Sequence, residues 1–167
     1  MKFLQRLTFA VSSVAFLATR LTAATPCDSP EHRQFDFWLG DWDVYDVGDA
    51  KPTMRIRVER ILDGCALKET YSDVNGVLGE SINLYDLPRK LWHQTWATNR
   101  GQVLYLDGKL ENGRMSFTAT EQTAKGPVLW RAWWIPQGAE VRETAETSTD
   151  GGKTWTQRFD IVFRKHR

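Results

Sequence analysis

Apolar and polar residues alternate with a period of two through most of this chain, the spacing of strands that bury one face. The alternation is clean where Met54, Ile56 and Val58 interleave with Arg55, Arg57 and Glu59. It is equally clean where Trp155, Gln157, Phe159, Ile161 and Phe163 interleave with Thr156, Arg158, Asp160, Val162 and Arg164. Turn residues break the pattern at short intervals: Asn75-Gly76, Asp86-Leu87-Pro88-Arg89, Asn99-Arg100-Gly101, Glu111-Asn112-Gly113, Gly126-Pro127, Gln137-Gly138 and Asp150-Gly151-Gly152. The pattern predicts strands at Phe37–Val47, Met54–Leu62, Ala66–Val74, Val77–Asp86, Leu91–Asn99, Val103–Leu110, Arg114–Gln122, Val128–Pro136, Glu140–Thr147 and Trp155–Arg164. Before them, Asp28-Ser29-Pro30-Glu31 places Pro at a first helical position and predicts one short helical turn.

Short loops between near-evenly spaced strands imply antiparallel neighbours in a meander. A sandwich satisfies the same alternation, but the chain lacks the long crossovers that a Greek key needs. The expected fold is all-β: a roughly ten-stranded antiparallel up-and-down barrel with a short N-terminal helical turn. Phe35-Asp36-Phe37-Trp38-Leu39-Gly40-Asp41-Trp42 opens it with a Gly-x-Trp step. Gly permits a tight entry into the first strand, and the indole is a large rigid stopper for the narrow end.

The first 24 residues read as an export signal. Lys2 and Arg6 precede an apolar run from Leu7 to Ala18, and Thr22-Ala23-Ala24 offers small residues for cleavage. The expected division is therefore a signal peptide over 1–24 and one barrel domain over 25–167, in the periplasm or secreted. The run is too short for a stable bilayer span, so no membrane span is expected after cleavage. Of the 22 Lys and Arg, three leave with the signal, and the 21 Asp and Glu are then in slight excess. No basic stripe remains, which argues against nucleic acid as a partner. Cys27 and Cys65 are an even pair in an exported chain and are expected to form a disulfide.

Four groups of residues resemble a family of uncharacterised bacterial exported proteins with a calycin-like (lipocalin-like) barrel. They are Phe35 to Trp42, Asp63-Gly64-Cys65-Ala66-Leu67 with Glu69-Thr70-Tyr71, Tyr85-Asp86 with Trp92-His93-Gln94-Thr95-Trp96, and Ser148 to Trp155. The resemblance covers nearly all of the chain after the signal and implies a fold without an assigned activity. Lipocalins pack an Arg of the last strand over the Trp of Gly-x-Trp, which implies Gly40, Trp42 and Arg164 for those roles. Ser148-Thr149-Asp150-Gly151-Gly152-Lys153-Thr154-Trp155 also resembles the Asp-box hairpin of sialidases and other glycan-active propellers. One copy does not make a propeller, and a hairpin-stabilising role for Asp150 is expected.

Parity places Trp92, Gln94 and Trp96 on one face of their strand, flat apolar walls around a hydrogen-bonding amide. Glu69 shares a face with Leu67 and Tyr71, and a carboxylate pointing inward there needs a partner or a raised pKa. Arg142 and Arg131, on later strands, are candidate partners. His32, His93 and His166 have no metal-ligand spacing, and His166 follows Arg164-Lys165 at the chain end, so neither a metal nor a cofactor such as haem is expected. Gly-x-Ser-x-Gly, phosphate-loop and HExxH motifs are absent.

These features point to an exported binding protein that holds a small hydrophobic or aromatic molecule. Glu69, Tyr71, Trp92, Gln94, Trp96, Trp133 and Arg142 are the expected ligand-binding residues. A cofactor-free isomerase or cyclase using Glu69 as acid or base is the alternative. A structural or interaction module, with a dry filled core, is a third.

Overall fold

The computed structural model describes residues 27–167; the expected signal segment lies outside them. Ten antiparallel strands form one closed barrel in which each strand pairs with its sequence neighbours. They are β1 (Gly40–Asp46), β2 (Met54–Ile61), β3 (Ala66–Asp73), β4 (Leu78–Asp86) and β5 (Leu91–Thr98). β6 (Val103–Glu111), β7 (Arg114–Thr123), β8 (Gly126–Gln137), β9 (Glu140–Ser148) and β10 (Thr156–Lys165) complete it. β1 closes the ring on β10, with Trp42 opposite Lys165 and Val44 opposite Phe163. Full closure leaves no unpaired sheet edge.

The expected first strand begins too early. Asp36–Trp38 is a 3-10 turn, and a second turn spans Pro30–Arg33. The reason is packing: Phe35 and Trp38 are fully buried across one end of the barrel, so the chain must cross that end before it enters β1. Gly40 makes the entry at φ 137°, a conformation that disfavours other residues. A side chain there would also strike the Lys165 ammonium.

Phe35 stacks on Trp38 at 4.9 Å and meets Trp92 and Trp134 edge-on, each at 5.7 Å. The Trp42 indole N–H donates to the Trp38 carbonyl at 2.8 Å. Aromatic bulk therefore fills this end, each ring contributing roughly 1.5–3 kcal/mol by burial. The Cys27–Cys65 disulfide ties the crossing segment to the turn before β3, with 5.0 Å between the Cα atoms. Arg33 reinforces the tie by donating to the Cys27 and Gly64 carbonyls, and Arg60 pairs with Asp36 at 2.5 Å.

The last strand departs from simple alternation. A bulge between Gln157 and Phe159 shifts the register against β9. Trp155 therefore does not share the inner face of Phe159, Ile161 and Phe163; the Arg131 guanidinium lies 4.0 Å over its ring. The preceding hairpin is held by Asp150, which accepts from the Lys153 and Thr154 amides, each at 3.0 Å, and from the Thr154 hydroxyl at 2.6 Å. The Thr154 and Ser148 bonds hold the Asp150 carboxyl well below the usual range.

Candidate functional site

The end opposite the aromatic plug is open. There β1, β3, β5, β7 and β9 finish and β2, β4, β6, β8 and β10 begin, around an interior cavity of about 390 Å³. Inward positions on the strands build its walls. Ile56, Leu104, Leu106, Ala132 and Ile161 supply apolar surface, while Tyr71, Trp96, Trp130 and Phe159 supply aromatic surface. The rings of Tyr71 and Trp96 lie parallel within 2°, their centroids 6.2 Å apart. Tyr71 lies directly against Gly79, where a Cβ would sit 2.0 Å from the ring.

A polar network underlies these walls. Ser81 donates to Glu69 at 2.7 Å, and the same hydroxyl accepts from Asn83 at 2.8 Å and from Gln94 at 3.4 Å. Strand pairing assembles it, because Glu69 lies opposite Ser81 and Asn83 opposite Gln94. Burial raises the Glu69 carboxyl from 4.5 to about 7, against the lowering effect of the Ser81 hydrogen bond. Glu143, on β9, faces the same cavity. Burial and then the charge of Glu69 push it well above the ordinary carboxyl range. Tyr71 rises to about 12 through burial and the neighbouring charges of Glu69 and Asp73.

Four of the seven expected binding residues, Glu69, Tyr71, Gln94 and Trp96, line this cavity together. Trp92 points inward but belongs to the closed end, where its indole N–H donates to Gln34 at 3.2 Å. Trp133 and Arg142 lie elsewhere. Trp130, Ala132 and Trp134 face inward on β8, so Trp133 faces outward and packs beneath Arg114 and Arg131. Val141, Glu143 and Ala145 face inward on β9, so Arg142 stands outside and forms a two-pronged pair with Asp160 at 2.8 and 2.5 Å. Arg131 pairs with Glu146 at 2.5 Å. Neither arginine is paired with Glu69.

Ser81, Asn83, Trp130 and Glu143 went unrecognised in the sequence. For Glu143 the signal was present: Val141 and Ala145 flank it at inward spacing. The histidines lie outside the cavity. His93 contacts Asp107 at 2.7 Å and His166 contacts Asp43 at 2.9 Å. Among the described residues, no group of three His, Cys, Asp or Glu is arranged to hold a metal ion.

The fold and site define a ten-stranded antiparallel barrel plugged at one end and hollow at the other. No protein-family model matches the chain, and no curated protein matches it.

Proposed function

We propose that this chain is an exported binding protein that holds a small molecule with an apolar or aromatic body inside the barrel. The observation that carries this reading is the contrast between the two ends. One is filled by Phe35, Trp38, Trp92 and Trp134, while the other keeps about 390 Å³ lined by Tyr71, Trp96, Trp130 and aliphatic side chains. The resemblance to exported calycin-like proteins, the signal-like segment over 1–24 and the Cys27–Cys65 disulfide support a periplasmic or secreted setting. No described helix is long and apolar enough to cross a membrane.

A second reading, a cofactor-free isomerase or cyclase, draws support from Glu69. A buried carboxyl titrating near 7 beside a second buried carboxyl suits general acid–base chemistry. A native mass spectrum of the protein from its own cells tests the leading reading. A bound mass of a few hundred daltons, lost on denaturation, is expected; the bare mass alone would favour the enzyme or the structural barrel.

A further inference from the structure

We infer that the molecule held in this barrel is an organic cation, with an aromatic or apolar body against the walls and an amine-type head at Glu69 and Glu143. The inference rests on the container reading above and adds the chemical class of the ligand.

The charge of the lining is one-sided. Asp46, Glu69, Asp73, Glu121 and Glu143 face the cavity, against a single guanidinium, Arg158. A low-dielectric cleft lined by one sign of charge focuses its field on the opposite sign. The two deepest carboxyls are the telling ones. Glu69 and Glu143 are 6% and 8% exposed, and neither has a cationic partner among the described residues. Glu69 uses one oxygen to accept from Ser81, and the Glu143 carboxyl has no hydrogen-bond partner among the described residues. Buried carboxyls are ordinarily paired, so two left open towards a cavity mark a place where a ligand supplies the partner.

Two further features agree with an amine-bearing ligand. The indole N–H of Trp134, which lines the same cavity opposite Glu143 in the β8–β9 pairing, has no acceptor. It suits a ligand that carries an acceptor near its cationic head. Tyr71, Trp96 and Trp130 present aromatic surface above the carboxyls, a favourable lining for a cation and for a flat apolar body. An anionic ligand would meet five acidic side chains and one guanidinium. The donor arrangement does not suit a bare metal ion either.

The test uses three indoles of one skeleton: tryptamine, its neutral alcohol tryptophol, and indole-3-propionate. Each is titrated into the disulfide-bonded protein at pH 7, with the tryptophan N–H signals followed by NMR. The neutral fluorophore N-phenyl-1-naphthylamine reports separately on whether the cavity accepts any apolar guest. Tryptamine is expected to bind at least about tenfold more tightly than either relative. Glu143→Gln and Glu69→Gln are each expected to reduce that preference. Near-UV circular dichroism checks that they fold; if they do not, the wild-type preference decides alone. Entry of the fluorophore without a preference for tryptamine overturns the cation assignment and leaves the container standing. A preference unchanged in both folded Gln variants overturns the assignment to this pair. Exclusion of all four probes overturns the container reading and the inference together.

Discussion

Lys165 lies over the indole of Trp42, its ammonium 3.5 Å from the ring centroid, and donates to the Leu39 carbonyl at 2.7 Å. One contact thus joins the last strand, the first strand and the segment that plugs the barrel. Register decides that Lys165, not Arg164, takes this position: Lys165 is opposite Trp42, while Arg164 turns outward over Tyr45. Lys165→Met keeps the stem but removes the charge and the hydrogen bond. We expect a loss of about 1–2 kcal/mol in urea unfolding, with little change for Arg164→Met.

The disulfide closes the loop between the crossing segment and β3, joining cysteines at a sequence separation of 38. Replacing both by Ser should cost about 3–4 kcal/mol through the unfolded chain's regained freedom. Denaturant midpoints of the double variant measure it. Equal stability would mean that the aromatic plug alone holds the segment.

Trp38 is fully buried between Phe35, Trp134 and Phe163. Trp38→Ala is expected to cost about 3–5 kcal/mol through lost burial and the cavity left behind. Thermal unfolding checks this, and a loss under 1 kcal/mol would show that the closed end is not a packed core.

Stability should fall as pH rises from about 4.5 to about 7. The Glu69 carboxyl is raised by burial from 4.5 to about 7, so in that window the folded state binds more protons than the unfolded chain. The contribution is on the order of 3 kcal/mol, fully present below the unfolded value and lost above the folded one. Glu143 shifts in the same direction and adds to the slope. Urea unfolding at pH 4.5 and pH 7.5 measures the difference, which Glu69→Gln should reduce.

The strands were legible in the sequence because turn residues mark their ends and alternation marks their faces. The plug was legible in composition but not in form: Phe37 and Trp38 suit a strand locally, and only tertiary packing turns Asp36–Trp38 into a 3-10 turn. Cavity-facing positions are legible where one face is clearly apolar, as for Glu69, Tyr71, Gln94 and Trp96. They are not legible where both faces carry apolar side chains, as on β8, where Trp133 and Trp134 are adjacent and only pairing tells them apart. Arg142 carries the charge that Glu69 would pair with, yet Val141 and Ala145 fix the inward parity on Glu143. Ser81 and Asn83 carried no signal of their own, because a polar pair on a strand usually faces water.

The most direct measurement is a fluorescence titration of the protein and of Ala132→Phe with N-phenyl-1-naphthylamine. Ala132 is buried on the cavity wall, so a phenyl group there takes up the space a guest would use. We expect saturable one-to-one binding to the natural chain and at least about tenfold weaker binding to the folded variant. No binding to the natural chain, or equal binding to both, would contradict a ligand held inside the barrel.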